Sequence, residues 1–177
     1  MKRILTIILT AISLSIAAYA QTNLKIGSPA PAFSAASMDG RIYDLDELRG
    51  SVVVLTFWST RCEICRHELP KVDRVVDSYS GRNVVFLALT MENEEKVRTY
   101  LRKNRLASQI LPNTFGVVLK YADRTRDGSL DMGFPSFFVI DQDGIVQYRS
   151  SGFDKTSALA SSIERLARKQ VARRAAL

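Results

Sequence analysis

The sequence predicts an α/β domain in which parallel strands are joined by helices. Residues 51–58 (SVVVLTFW) and 83–91 (NVVFLALTM) are apolar runs of strand length, rich in β-branched and aromatic side chains. Such runs are typical of strands that are buried on both faces of a sheet. Each run is followed by a charged stretch with apolar residues at helical spacing. The order strand, helix, strand, helix therefore implies a right-handed parallel crossover.

The other elements follow from turn residues and apolar spacing along the chain. The dipeptides Asp39-Gly40 and Asp143-Gly144, each between apolar stretches, indicate two hairpins. Pro70 lies inside a helical pattern and is expected to kink that helix. In order, the predicted elements are the N-terminal hairpin, a helical turn at 45–48, a strand at 51–58, a helix at 63–79, a strand at 83–91, a helix at 92–105, a short helix at 115–121, two strands within 136–152 and an amphipathic helix at 155–168.

Composition and the N-terminus predict one exported domain. The 177 residues are 46% hydrophobic and 24% charged, which is ordinary for a single domain with a full core. Residues 1–20 combine a basic start, an uncharged apolar stretch and small residues at Ala18 and Ala20, the pattern of a cleaved signal peptide. An uncleaved membrane anchor is the alternative, because the apolar stretch is almost long enough to lie across a thin bilayer. We therefore expect a domain over residues 21–177 in the periplasm.

The chain carries an excess of positive charge, with 25 Lys and Arg against 18 Asp and Glu. Much of this excess lies between residues 165 and 174, in the basic C-terminal helix. A solvated helix end is the first interpretation, because cations suit the negative end of a helix dipole. Contact with an anionic membrane surface or an acidic partner is the alternative, whereas no nucleic acid partner is expected outside the cytoplasm.

The only two cysteines, Cys62 and Cys65, stand two residues apart in FWSTRCEICRHELP at 57–70. This spacing has three interpretations: a redox pair, half of a zinc site, or two inert core cysteines. Cys62 begins a helix, where backbone amides and the dipole stabilise a thiolate, and Cys65 lies within one turn of it. A zinc site needs two more soft ligands and the chain offers only His67, so no metal or other cofactor is expected. His67 is expected at the surface, since helical spacing points it away from Cys65.

Three segments resemble the thioredoxin superfamily, and within it the exported thiol-disulfide oxidoreductases of the TlpA/ResA type. They are KIGSPAPAF at 25–33, LDELRGSVVVLTFWSTRCEIC at 45–65 and GFPSFFVIDQDGIVQYRSSG at 133–152. The resemblance covers roughly residues 26–168. It implies a thioredoxin-like fold, with a central mixed sheet flanked by helices and an N-terminal hairpin extension. It also implies that Pro135 lies beside Cys62 and follows a cis peptide bond. Only a bond before proline adopts the cis conformation readily.

The resemblance also implies roles for particular residues. Cys62 is expected to be the nucleophile and Cys65 the resolving thiol, while Glu68 carries protons to and from the thiols and raises the pKa values of both. A solvated helix glutamate is the alternative for Glu68. Pro135 completes the expected catalytic set. Residues expected to contact the substrate are Trp58, Phe134 and Ile64, of which Ile64 replaces the proline common before the second cysteine.

These features favour an enzyme that reduces disulfides in periplasmic proteins, for example in cytochrome c maturation. Its partners are disulfide-bearing client proteins and a membrane thiol electron donor. A disulfide-donating oxidant is one alternative, because oxidants and reductants share this architecture. A thiol peroxidase is another: Ser59 fits the requirement for Ser or Thr three residues before the reactive cysteine, but Leu55 occupies the place of the usual upstream proline. A binding module without catalysis is the third.

Overall fold

The computed structural model describes residues 23–175, and within them a five-stranded mixed sheet forms the centre. The described strands are β1 (Ser34–Ala36), β2 (Ile42–Asp44), β3 (Val52–Phe57), β4 (Val84–Leu89), β5 (Gln109–Leu111), β6 (Asp123–Arg124), β7 (Leu130–Asp131), β8 (Ser136–Ile140) and β9 (Val146–Ser151). The described helices are α1 (Glu63–Ser78), α2 (Glu94–Leu101), α3 (Phe115–Tyr121) and α4 (Thr156–Ala175). The order of the central strands is β5-β4-β3-β8-β9.

Strand β3 occupies the middle of the sheet, and all six of its residues are buried. It pairs in parallel with β4 and antiparallel with β8, so Val54 lies between Phe86 and Val139. Because successive side chains point to opposite faces, β3 supplies two cores. Leu55 and Phe57 pack with α3, whereas Val52 and Val54 pack with α1 and α4. The two buried apolar runs thus form the parallel strands β3 and β4, which α1 connects as predicted.

The N-terminal hairpin is present and is fixed to the sheet. Strands β1 and β2 pair antiparallel around the Asp39-Gly40 turn, in which Gly40 has a φ of 84°. The amide of Met38 donates to the carbonyl of Ile110 at 2.9 Å, which joins the hairpin to β5. The predicted helical turn after it is a series of turns over residues 45–50, ending at Gly50.

Several helix boundaries differ from the sequence prediction. Helix α2 begins after Asn93, whose side chain accepts from the Lys96 amide at 3.0 Å, so the helix predicted at 92–105 is shorter at both ends. Helix α4 instead runs past the predicted end at 168, to Ala175. Helix α3 has the predicted bounds, and α1 continues through Pro70. The small hairpin of β6 and β7 lies where the sequence signal is weak.

The signal peptide predicted at 1–20 lies outside the described residues. Within residues 23–175, no helix has both the length and the apolar character needed to cross a membrane.

Candidate active site

Cys62 and Cys65 form a disulfide at the junction of β3 and α1, with their Cα atoms 5.2 Å apart. Cys62 is the N-cap of α1, and its Sγ accepts a hydrogen bond from the Cys65 amide at 3.0 Å. Its own amide donates to the Ser59 carbonyl at 3.1 Å, within the loop that follows β3. This position directs the Cys65 amide and the positive end of the α1 dipole at the Cys62 sulfur, which stabilises a thiolate there in the reduced protein.

The two cysteines differ in their access to solvent. Cys65 is fully buried, at 0% exposure, in a cluster with Trp58 and Leu69. Cys62 is half-buried and packs at the margin of the same cluster. Of the two cysteines, only Cys62 is therefore accessible from solvent.

Glu68 lies one turn after Cys65 on α1 and is also fully buried. Its carboxylate accepts from Lys71 Nζ at 2.7 Å and from Thr156 Oγ1 at 3.1 Å. Burial raises the pKa of Glu68, but hydrogen bonds from Lys71, the Asp154 amide and Thr156 outweigh it, and the net pKa lies below its ordinary value. Glu68 is thus an ionised, buried carboxylate on the helix that carries both cysteines, not a solvated one.

The Phe134–Pro135 peptide bond is cis. Pro135 precedes β8, whose Ser136 pairs with Phe57 at the end of β3 that leads to the cysteines. Phe134 is half-buried and packs against the same cluster as Cys62. The Pro135 carbonyl accepts from the Gly152 amide at 2.9 Å, which fixes the loop after β9 beside it. Two segments about seventy residues apart in sequence therefore meet at one edge of the sheet.

The other predicted contact residues divide between surface and interior. Ile64, which stands between the two cysteines in the sequence, is 40% exposed. Trp58 is fully buried, because its ring packs against Tyr100 with the ring centroids 5.1 Å apart. The prediction that Trp58 contacts a client is therefore wrong, because its side chain has no exposed surface. It packs instead in the interior cluster that contains Cys65. His67 is exposed, as predicted.

Glu92 is a site residue that the sequence interpretation missed, because it was assigned to the following helix. Its carboxylate accepts from the Thr60 amide at 2.9 Å, and from the hydroxyls of Thr60 at 2.8 Å, Ser59 at 3.0 Å and Thr90 at 3.1 Å. Burial raises the pKa of Glu92, but the bonds from Thr60, Ser59 and Thr90 outweigh it, so the net pKa is lowered. The helix-capping preference of Asn93 is the signal that places Glu92 outside α2.

No group of three or more His, Cys, Asp or Glu side chains within residues 23–175 is placed to hold a metal ion. Both cysteines belong to the disulfide instead.

The fold and the disulfide at the start of α1 define the class of thioredoxin-like thiol-disulfide oxidoreductases. The chain belongs to the AhpC/TSA family, whose model matches residues 26–149.

Similar proteins agree with this class. The chain is 27% identical over 145 residues to a thiol-disulfide oxidoreductase ResA of Bacillus cereus, covering 81% of this chain and 79% of that protein. It is also 27% identical over 127 residues to the thioredoxin-like protein YneN of Bacillus subtilis, covering 72% of each. A thiol:disulfide interchange protein of the thioredoxin family from Chlorobium tepidum superposes with a TM-score of 0.67 at 22% identity, covering 82% of this chain and 99% of that one. The predicted thioredoxin-like fold is thereby confirmed.

Proposed function

We propose that this protein reduces disulfides in exported client proteins. The observation that carries the proposal is the unequal exposure of the two cysteines, half-buried at Cys62 and fully buried at Cys65. Disulfide exchange needs one thiol that meets the client and a second that meets only the first thiol, and the buried charge of Glu68 favours the reducing direction. In the reducing direction, the disulfide between Cys62 and Cys65 is the oxidised form that the reaction leaves.

The reaction proceeds in two exchanges. The Cys62 thiolate attacks one sulfur of the client disulfide, forms a mixed disulfide and releases the other client sulfur as a thiolate. Cys65 then loses its proton, attacks the Cys62 sulfur and releases the second client thiolate. The client gains two electrons, and the protein loses two as its disulfide forms. A membrane thiol electron donor then restores the dithiol.

The charge of Glu68 supports the reducing direction. An ionised carboxylate one turn from Cys65 disfavours a second negative charge on the thiols, so we assign Glu68 the role of raising the thiol pKa values. Its lowered pKa and its ion pair with Lys71 make it a weak base, so the Cys65 proton passes to the first client thiolate, which is the stronger base. Destabilising the thiolates lowers the reduction potential of the pair, since strong oxidants of this architecture are those whose reduced form is stabilised.

The client segment is proposed to lie in extended form beside Cys62, along the backbone of Phe134 and Pro135. Two exposed side chains at this edge of the sheet are apolar, Ile64 at 40% and Phe153 at 59% exposure, and charged residues such as Arg61, Glu63 and Arg66 surround them. Lys71 Nζ lies 4.9 Å from the centroid of the Phe153 ring and fixes its position. An apolar residue next to a client cysteine fits this surface.

The proposed location is the periplasm, supported by the signal-like residues 1–20. Apocytochrome c before haem attachment is the proposed client, because reducing members of the TlpA/ResA type act on it. The basic C-terminal helix, with exposed Arg165 and Lys169, supports contact with the anionic membrane surface near the electron donor.

The peroxidase alternative has little support in the geometry. Ser59, which that chemistry requires beside the reactive sulfur, directs its hydroxyl to Glu92 at 3.0 Å. Leu55 lies in the middle of the buried strand β3, where that chemistry has a proline.

The reduction potential of the Cys62–Cys65 pair tests the proposal. The purified protein is equilibrated with dithiothreitol or glutathione buffers, and its free thiols are counted. A value near about −270 mV supports a reductant, whereas a value near about −120 mV contradicts it and indicates a disulfide donor. Rapid consumption of hydrogen peroxide by the reduced protein would instead favour the peroxidase.

A further inference from the structure

The loop between β4 and α2 carries the carboxylate of Glu92, which is held mainly by residues of another loop. Glu92 stands one residue before the cap of α2, and three of the four hydrogen bonds that its carboxylate accepts come from Ser59 and Thr60. Among the described side chains, no lysine or arginine forms an ion pair with it. Neutral donors converging on one carboxylate indicate a built acceptor site for this loop.

The loop held by Glu92 is the one that places Cys62. It runs from the end of β3 to the start of α1, and the Cys62 amide donates to the Ser59 carbonyl at 3.1 Å. The Arg61 amide donates to Ser59 Oγ at 3.3 Å, so the same hydroxyl that binds Glu92 also shapes the turn before Cys62. The Trp58 amide donates to the Leu89 carbonyl at 3.0 Å and joins the start of the loop to β4. Glu92 provides the second junction, nearer to the cysteine.

Glu92 is itself fixed from a third side. Its carbonyl accepts from the Asn113 amide at 2.9 Å. Next to it, the Thr90 carbonyl accepts from the amide and the hydroxyl of Thr114, each at 3.0 Å. The carboxylate therefore projects from a rigid base where the carboxyl ends of β3, β4 and β5 meet, which is where sites form in open α/β sheets.

We propose that Glu92 is a positioning residue for disulfide exchange: its carboxylate holds Ser59 and Thr60 so that Cys62 stays aligned at the start of α1. This inference rests on the proposed reductase function. Exchange requires the attacking sulfur to meet the partner disulfide in line, and small misplacements of a reacting group slow a reaction strongly.

The variants Glu92→Ala and Glu92→Gln separate hydrogen bonding from charge. Alanine removes every bond to the loop. Glutamine keeps the shape of the side chain, and its oxygen can accept from the Thr60 amide. Its NH₂ group can donate to the hydroxyls of Ser59 and Thr60, because a hydroxyl can rotate its hydrogen away and accept instead. Both variants remove a negative charge near Cys62, and this change alone stabilises the thiolate and speeds attack. Slower exchange in the alanine variant can therefore not result from the lost charge.

The test measures how fast the reduced protein reduces the aromatic disulfide 5,5′-dithiobis(2-nitrobenzoate) at pH 7, by the colour of the released thiolate. We expect Glu92→Ala to react about 10-fold more slowly than the wild type, as a loosened reacting group does. Glu92→Gln is expected to stay within about twofold, because its bonds are retained though neutral. The matched control is Glu94→Ala, at a glutamate two residues after Glu92. It removes an exposed ion pair with Arg98 and is expected to leave the rate of exchange unchanged.

Thermal unfolding establishes that each variant is folded. If Glu92→Ala does not fold, the double variant Ser59→Ala/Thr60→Val removes two donors and keeps the carboxylate, and we expect about fivefold slower exchange. An alanine variant, or this double variant, that reacts as fast as the wild type overturns the inference and leaves the proposed function intact. A glutamine variant as slow as the alanine variant also overturns it. A wild-type dithiol that fails to reduce the probe overturns both.

Discussion

At the scale of single residues, Cys62 and Cys65 are chemically alike and differ in what can reach them. Cys65 lies inside the cluster around Trp58, and Cys62 lies at its margin. We therefore expect Cys65→Ser to accumulate a mixed disulfide with a client, because the first exchange occurs and the second cannot. Cys62→Ser is expected to form none.

Non-reducing electrophoresis after mixing each reduced variant with a protein that contains a disulfide measures this difference. Equal trapping by both variants would show that burial does not assign the roles. The test needs no knowledge of the natural client.

A second prediction at this scale concerns Glu68. Glu68→Gln removes a buried negative charge from the helix that carries both cysteines, so the thiolate form becomes more stable. We expect the reduction potential to become less negative by about 30 mV or more, which corresponds to about 1.4 kcal/mol. Thiol counts in glutathione buffers measure the shift, and Glu63→Gln, an exposed change on the same helix, is the control. An unchanged potential would contradict the role assigned to Glu68.

The sequence indicated the identities of these residues better than their environments. The spacing of Cys62 and Cys65 and the position of Glu68 could be read directly. The ties of Glu68 to Lys71 and Thr156 could not, because Thr156 lies 88 positions away and meets Glu68 only through the packing of α4. Trp58 was predicted to contact the substrate, and its full burial could not be read from the sequence for a similar reason: it depends on Tyr100, from another helix.

At the scale of elements, α2 shows how a cap decides a boundary. Asn93 satisfies the Lys96 amide, and the helix then packs the fully buried Val97 against the cluster that contains Cys65. Asn93→Ala is expected to lower the free energy of unfolding by about 1 kcal/mol, whereas Asn93→Asp retains the cap. Urea unfolding compares the two, and equal losses would show that the cap contributes nothing.

The long buried strands could be predicted because their signal is local. Strands β3 and β4 are continuous apolar runs, and both appear within two residues of their predicted ends. The two-residue strands β6 and β7 pair through two residue pairs only, and so short a run carries no periodicity to detect. Strand β3 pairs on one side with β4, which the crossover through α1 places parallel to it. On its other side it pairs with β8, which runs antiparallel.

At the scale of the whole molecule, buried and paired carboxylates couple stability to pH. Glu68 and Glu92 have pKa values below their ordinary value, and bonds from Arg168, Tyr79 and Arg82 lower the pKa of Glu164 to about 2. A lowered folded-state pKa adds stability that is fully present above the unfolded value of about 4.3 and is lost as the pH falls through the folded value. Burial raises the pKa of Asp73, which acts in the opposite sense.

We therefore expect the free energy of unfolding to decrease steadily as the pH falls below about 4.3. Urea unfolding between neutral and strongly acid pH measures the slope. Glu68→Gln is expected to flatten it, since one of the contributing groups is then absent. A stability that stays constant over this range would mean that these carboxylates are no better stabilised in the folded state than in the unfolded chain.

The burial of Trp58 has a consequence for how the protein can be observed. It is the only tryptophan in the chain, and it lies in one cluster with Cys65. A disulfide quenches the fluorescence of an indole packed beside it, so opening the Cys62–Cys65 bond should brighten the emission of this single side chain. The molecule thus carries an optical reporter of its own oxidation state, and electron transfer to a client can be followed in real time without a label.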